Sequence, residues 1–541
     1  MSNVSGSMSG RVPGVLSFRY LVPGALVALS LMLVAASALA VAPTSRSAGI
    51  EDAAGCDFNG DGYSDLAVGV GESFDGAAGA GAVNVIYGTV SGLRRANAQF
   101  WHPDIPGIKG NQQAEAGFGG TVVCGDFNGD GYDDLGASAA AADVGDVASA
   151  GAVNVIYGSG TGLAVAGNQL WHQGWLGIKG TPDGFDLFGL AQAAGDFNGD
   201  GFDDLAVGAP LDTTTQPGTG AVNVIYGSAS GLTAKGDQYL HQDKPGIKGQ
   251  ATSGDYFGIS ITAGDFDGDT FDDLAIGSYA ADEAGAVNVI YGSDAGLTRR
   301  DQYLYQGKPG IKGVADGGEH FGASLSTGDF NGDGNDDLVV GAPRDKPLGE
   351  VPRDAGAVHV IYGSASGLTA KGDQYLHQDR AGVKGAIQPH DFFGTSPTSG
   401  DFNGDGIDDL AIGVPNDRAG GIEAGAVNIL FGSGSGLTAL DDQRWHQNSP
   451  EIRGAAESGD GFGTSLHSGD FDGDGIHDLA VGVPMEDVGD LTDAGAVNVL
   501  YGGLSGLSAV WNQIWTQSKL QVGSELSEPE EFFGWLDPNL D

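Results

Sequence analysis

The chain has 541 residues, 97 of them Gly and 20 Pro, and carries 71 acidic against 24 basic side chains for a formal charge of −47. That balance excludes a nucleic-acid binder, which needs a basic stripe to displace counterions from phosphates, and it points instead to cations. With 40% hydrophobic residues and 8% aromatics there is ample material for a packed core.

Arg11 and Arg19 precede an uncharged run from Leu21 to Val41, with small residues at Ala38 and Ala40, or at Ala40 and Ala42. This reads as a secretory signal over residues 1–42, cleaved near Ala40 or Ala42. An uncleaved anchor is the alternative, because about 20 apolar residues can span a bilayer; Pro23, Gly24, Ser30 and Ser37 weaken it. Either way a secreted or cell-surface location is expected. Residues 43–56 form a linker and the start of the first repeat, and 57–541 form one folded unit. Cys56 and Cys124 stand at near-equivalent positions ahead of two successive Asp-rich loops, and an extracellular compartment permits a disulfide.

The motif D-F-[ND]-G-D-[GT]-x-x-D-L begins at Asp57, Asp126, Asp196, Asp265, Asp329, Asp401 and Asp470. Each copy continues into a short apolar run, a variable stretch, a G-A-V-[NH]-[VI]-[IL]-[YF]-G segment, an S-G-L-type turn and a final aromatic and polar segment. Gly-bounded, β-branched runs of this kind predict strands with period 2. From the second copy onward a Phe-Gly pair stands ahead of the loop, at Phe118, Phe188, Phe257, Phe321, Phe393 and Phe462. Four short strands per repeat result. Small sheets that cannot bury both faces alone are best stacked radially, so the expected fold is an all-β, seven-bladed β-propeller with four-stranded blades. The first copy lacks a Phe-Gly strand, while an orphan Phe533-Gly534 stands near the end of the chain. This predicts that the C-terminal strand completes the first blade and closes the ring.

The loops carry the chemistry. In each, the first, third, fifth and ninth side chains and the backbone carbonyl of the seventh residue are the candidate metal ligands. The sets are Asp57, Asn59, Asp61, Tyr63 and Asp65; Asp126, Asn128, Asp130, Tyr132 and Asp134; Asp196, Asn198, Asp200, Phe202 and Asp204. The fourth and fifth are Asp265, Asp267, Asp269, Phe271 and Asp273, and Asp329, Asn331, Asp333, Asn335 and Asp337. The last two are Asp401, Asn403, Asp405, Ile407 and Asp409, and Asp470, Asp472, Asp474, Ile476 and Asp478. Hard oxygen donors without His or Cys suit calcium, which tolerates an irregular cage of six to eight ligands. An EF-hand needs Glu at the twelfth position, where this chain has Val68, Ala137 or Val207. A plain Asp/Asn/Gly turn accounts for one such loop but not for seven whose carboxylates would repel one another without a cation. Up to seven Ca²⁺ ions are therefore expected, in a structural role. Thr270 replaces the sixth-position Gly in the fourth loop, which makes that loop's geometry the exception.

Phe-Gly, the D-x-[DN]-x-D-G-x-x-D loop, Gly-Ala-Pro (Gly208–Pro210, Gly341–Pro343) and G-A-V together resemble the FG-GAP repeats of the integrin α-subunit N-terminal propeller. The resemblance runs from Asp57 nearly to the end of the chain. It implies a seven-bladed propeller with calcium in hairpin loops on one face, used in cell adhesion and related extracellular binding.

The variable loops fall on the opposite face, and binding sites tend to lie on loops that differ. That face, above all Asp345 to Arg353 in the fifth repeat, is the expected contact surface for an extracellular protein or glycan. The recurrent His102, His172, His241, His377 and His446 read as structural because Tyr305 and Thr516 take the matching places. Lys109, Lys179, Lys248, Lys312, Lys384 and Arg453 recur in G-[IV]-K-G-like turns and are expected to pair with acids. Trp101, Trp171, Trp445 and Trp515 read as blade packing. No G-x-S-x-G elbow, P-loop or H-E-x-x-H occurs, so no catalytic residue is named and an enzyme is not expected. Two other readings stay open: a lectin-like carbohydrate binder and a polysaccharide-active lyase or hydrolase.

Overall fold

Gly-rich turns cut each repeat into strands of four to eight residues, and these run as an antiparallel meander in which each strand pairs with the next in sequence. The computed structural model describes residues 38–41, 55–71, 78–175, 177–214, 216–315, 317–349, 353–380 and 382–520. The third repeat shows the plan: Gln192–Gly195, Asp204–Ala209, Ala221–Tyr226 and Thr233–Leu240 pair in that order. Its register sets Asp204 opposite Gly195, Leu205 opposite Ile225 and Val222 opposite Leu240. Seven such sheets make a seven-bladed β-propeller.

Blade packing overrides the expected alternation. The second and third strands are buried at nearly every position, as in Asp204–Ala209 and Ala221–Tyr226, because each sheet is covered on both faces by its neighbours. Only the outer strand mixes exposed and buried positions. The Phe-Gly pairs also depart from expectation. In blade 2 the pair opens the inner strand Phe118–Gly125, but in later blades it precedes that strand and reaches sideways. Phe257, Phe393 and Phe462 form parallel bridges with Gly220, Gly356 and Gly425 of the preceding blade.

A second set of contacts ties the blades at their outer strands. The Tyr87 hydroxyl donates to Gln99 Oε1 at 2.6 Å and accepts the Leu163 amide of the next blade at 3.2 Å. Gln99 Nε2 then donates to the Leu163 carbonyl at 3.0 Å. The S-G-L glycine follows from this clasp: a Cβ on Gly231 would lie 1.9 Å from the Tyr157 hydroxyl, at a φ of +85°, so both sterics and backbone require Gly. The same contacts close the ring, since Leu93 N donates to the Tyr501 hydroxyl, Gln513 Nε2 to the Leu93 carbonyl, each at 3.3 Å, and Ser64 N to the Asp470 carbonyl at 2.9 Å.

Blade 1 shows three described strands, Leu66–Val70, Ala82–Tyr87 and Arg94–Trp101. Cys56 pairs with Asp65 as Gly195 does with Asp204, so the residues just ahead of the first loop enter the inner-strand position of their own blade. Phe533-Gly534 and the closing strand expected there lie outside the described residues, as do residues 1–37 and 42–54. Ala38–Val41 runs parallel to the inner strand of blade 2, with Ala38 opposite Val122 and Val41 opposite Cys124. Cys56 and Cys124 are joined in a disulfide, with 5.8 Å between their Cα atoms, and it links blade 1 to blade 2.

Candidate metal centres

Each Asp-rich loop is the hairpin between the inner strand and the second strand of its blade, so all seven share one face with the S-G-L turns. In the first loop the Asp57 carboxylate accepts the amides of Gly60, Asp61 and Gly62 at 2.7–3.1 Å, and Asp61 Oδ1 accepts the Tyr63 amide at 3.2 Å. Gly60 and Gly62 have φ of +69° and +83°, which lets the backbone curl inward. The third loop repeats this, with Asp196 accepting Asp200 N and Gly201 N, and Asp200 accepting Phe202 N.

The ninth-position acids are Asp65, Asp134, Asp204, Asp273, Asp337, Asp409 and Asp478, and none is more than 1% exposed. Asp204 accepts the Phe197 amide, the Asn198 side-chain amide and the Gly227 amide. It therefore fastens the loop to both the inner strand and the S-G-L turn. Burial, then the neighbouring loop acids, push these carboxyls up: Asp65, Asp134 and Asp273 to about 9, Asp337 and Asp409 to about 8. Asp204 and Asp478 are raised in the same way.

A divalent ion suits this donor set. Where Asn holds the third position it gives its Nδ2 to the ninth-position Asp, as Asn59 does to Asp65 and Asn331 to Asp337, and its Oδ1 remains as an oxygen donor. Where Asp holds it, one buried carboxylate oxygen is orphaned: Asp267 Oδ1 and Asp472 Oδ1 have no hydrogen-bond partner. Buried polar atoms are normally satisfied, and an ion coordinated by oxygen would satisfy these. Candidate ligand oxygens lie within 4.8 Å of one another for Asp265, Asp267 and Asp269, and for Asp470, Asp472 and Asp478. The fourth loop keeps the backbone hydrogen bonds of the others despite its Thr, and what sets it apart is a neighbouring cation. Thr270 sits at a φ of +75°, and the Arg300 guanidinium pairs with Asp267.

Two features of the loops were not anticipated. The eighth residue is a clasp to the neighbouring blade, with Asp133 accepting the Asp57 amide at 2.7 Å and Asp203, Asp272, Asp336 and Asp408 repeating the contact. His477 Nδ1 replaces it opposite the Asp401 amide at 2.9 Å. The repetition of D-D-L in five copies was the available signal. The fourth-position Gly also serves the neighbour, because a Cβ on Gly60 would lie 2.6 Å from the Tyr132 ring and one on Gly473 2.4 Å from the Tyr63 ring.

The remaining sequence candidates do not converge on a site. His172, His241, His377 and His446 end the outer strands or follow them, and burial lowers their pKa. Lys179, Lys312 and Lys384 pair with Asp237, Asp373 and Asp442 of the next blade at 2.9–3.3 Å. The Trp171 and Trp515 indoles are buried and donate to Gln169 and Gln513.

The FG-GAP repeat family matches residues 48–86, 188–225, 257–290, 321–361, 393–429 and 462–500. The second blade, which falls outside those matches, has the same four-stranded antiparallel meander as blades 3 to 7, with Ala38–Val41 added at its inner edge. Integrin alpha-PS2 of Drosophila melanogaster is 32% identical over 47% of this chain and 18% of its own length, and integrin alpha-7 of Homo sapiens 34% over 36% and 15%. Phosphatidylinositol-glycan-specific phospholipase D of Rattus norvegicus is 35% identical over 30% of this chain and 18% of its own. The chain thus spans under a fifth of these curated relatives. A solved propeller, that of Dos1, aligns over 81% of this chain and 78% of its own at 12% identity and a TM-score of 0.36, too distant to bear on function. With the fold and six matched repeats, the chain is an FG-GAP-repeat, integrin-α-like β-propeller. The relatives it matches are named both as integrins and as a phospholipase.

Proposed function

We propose that this protein is a secreted or cell-surface binding and adhesion module whose propeller is held by calcium in the Asp-rich loops. The observation that carries this is the buried ninth-position carboxylate within an all-oxygen donor set, repeated in all seven loops, with orphaned carboxylate oxygens at Asp267 and Asp472. The disulfide agrees with an oxidising compartment, and no helix among the described residues is long and apolar enough to cross a membrane. At a Kd of about 10⁻⁴–10⁻³ M and roughly 1 mM free calcium, each independent site stabilises the fold by about 0.4–1.4 kcal/mol. Seven ions would bring the formal charge from −47 to −33. The ligand surface is the face opposite the loops, including the segment 345–353, of which 350–352 lie outside the described residues. Thermal unfolding with and without chelator tests the calcium, and binding to immobilised extracellular-matrix proteins with and without Ca²⁺ tests the adhesion. A melting temperature that does not move on chelation sinks the first, and equal binding to matrix and to an inert protein coat sinks the second.

A second reading, carbohydrate binding, is favoured by the groove of about 1000 Å³ between blades 7 and 1. Arg94, Arg95, Trp515 and Lys519 line it beside Trp511, which is 85% exposed. Trp511 holds a φ of +67° at a bulge where blades 2, 3 and 5 use Gly167, Gly236 and Gly372. A glycan array separates the two readings.

A further inference from the structure

The groove between blades 7 and 1 runs against the composition of the chain. Only 24 of 541 residues are basic, yet Arg94, Arg95, Arg453 and Lys519 all line it. Arg94 opens the outer strand of blade 1, where blades 3, 5 and 6 have Thr233, Thr369 and Thr438. Arg453 comes from the turn that follows blade 6. Its counterparts Lys179, Lys312 and Lys384 each pair with an Asp of the next blade, but the residue in that place is Asn512, which accepts the Arg453 amide at 3.0 Å and has no charge to give the guanidinium. Asn168 makes the same exchange against Lys109, though there Gly167 holds the place of Trp511.

Lys519 donates to the Ile514 carbonyl at 2.7 Å and its Nζ lies 4.4 Å from the Trp515 ring centroid. Burial, and then the Arg453 charge, push its pKa down, so two cations stand close enough to repel. The Arg94 guanidinium donates to the Ser91 hydroxyl. Among the described residues no carboxylate pairs with Arg94, Arg453 or Lys519, and all three are exposed. Cations gathered without acids attract an anion. Trp511 is the second observation. A bulky residue at positive φ is an outlier, and strain of this kind persists where function uses it; here it presents an exposed indole beside exposed Val510. The shape selects a sugar over a peptide. A peptide that anchors by a side chain needs a pocket, and Trp511 projects instead. A peptide that adds as a strand needs a regular edge, and the bulge at Trp511 interrupts the outer strand of blade 7, whose pairing slips between Val499 and Tyr501. A projecting flat ring fits the apolar face of a pyranose, and guanidinium groups fit carboxylate or sulfate in bidentate pairs.

We infer that this groove binds an acidic oligosaccharide, its carboxylates or sulfates held by Arg94, Arg453 and Lys519 and one sugar ring stacked on Trp511. The inference rests on the carbohydrate reading of the groove and gives it a ligand class, sugars that bear negative charge. The acids that line the groove, Asp472 and Asp474, belong to the seventh loop. They oppose an anion, and a calcium ion in that loop would remove the opposition.

The test is calorimetric titration of the full chain in Ca²⁺ with probes of equal length: an oligogalacturonate, a heparin-derived sulfated oligosaccharide, a neutral cello-oligosaccharide and an oligoglutamate peptide. An acidic sugar is expected to bind about tenfold more tightly than the neutral sugar and the peptide, with an affinity that falls as salt rises. Whichever acidic sugar binds more tightly names the anion. Arg94→Gln with Arg453→Gln, and separately Trp511→Gly, are each expected to weaken that binding by about tenfold, while Lys371→Gln on the outer strand of blade 5 leaves it unchanged. Trp511→Gly installs the residue that blades 2, 3 and 5 use at this bulge, so it remains informative if the double variant folds poorly. Acidic and neutral sugars bound equally would overturn the inference and leave the carbohydrate reading standing, whereas a groove that takes no sugar removes both. Peptide bound as tightly as the acidic sugars, or acidic-sugar binding untouched by Trp511→Gly, also overturns it.

Discussion

Loops 4 and 7 begin from nearly the same sequence, Asp-Phe-Asp-Gly-Asp, and both bring three acid oxygens to within 4.8 Å. They differ in how the charge is met. In loop 4 Arg300 reaches Asp267, donates to the Ser366 carbonyl of the next blade, and lies 3.8 Å above the Tyr291 ring. In loop 7 Asp472 is pushed up to about 6 by burial and by Asp474 and Asp470, and its orphaned Oδ1 has no donor. The contrast is between an acid cluster that meets a cationic side chain and one that does not, and it sets up the expectation that a bound ion and Arg300 would compete for the same carboxylate. On the opposite face, Arg444 of blade 6 pairs with Asp417, while the register-equivalent residue of blade 7 is Ile514.

The largest expected effect comes from removing an acid that anchors the loop and is also a candidate ion ligand. Asp478 accepts the Phe471 and Gly502 amides at 2.9 Å each, so Asp478→Ala leaves two backbone donors unpaired and removes an ion ligand. A loss of about 3 kcal/mol is expected in urea unfolding with calcium present, and a loss under 1 kcal/mol would show that the buried acid holds nothing together. Next, Arg300→Met frees Asp267. It should cost about 1 kcal/mol in chelator, the pair being half exposed on the Arg side, while the calcium-induced rise in melting temperature grows. If that rise is the same in both chains, Arg300 and the ion do not compete. Smallest is Thr270→Gly. It relieves a left-handed residue, worth about 1–2 kcal/mol, against a Gly entropy cost of about 0.5–1 kcal/mol. A net gain of about 0.5 kcal/mol is expected, and a net loss would mean that the Thr side chain contributes something the geometry does not reveal.

Much of the ring was legible because the repeat is strict. Asp, Asn and Gly at fixed places in seven copies announce one hairpin, and its clustered acids gave the expectation of an ion. The eighth-position acids were harder to read. Asp133 and Asp203 look like one more loop acid in D-D-L, yet their contacts are 76 and 77 residues away in sequence, a distance that local pattern does not encode. The approach of Glu457 and Asp460 to Glu486 was invisible for the same reason, because they belong to two separate chain segments.

By itself, then, the sequence determined the unit: strand lengths set by Gly-bounded β-branched runs, a turn whose carboxylates cap their own backbone, and the number of copies. Those are local consequences of steric preference and short-range hydrogen bonding. Only the tertiary structure decided which acids meet a cationic side chain and which are left facing one another. Neutralising a buried charge depends on what the blade's own outer strand or the adjacent blade brings within about 4 Å, and that is fixed when the sheets form and pack, not along the chain.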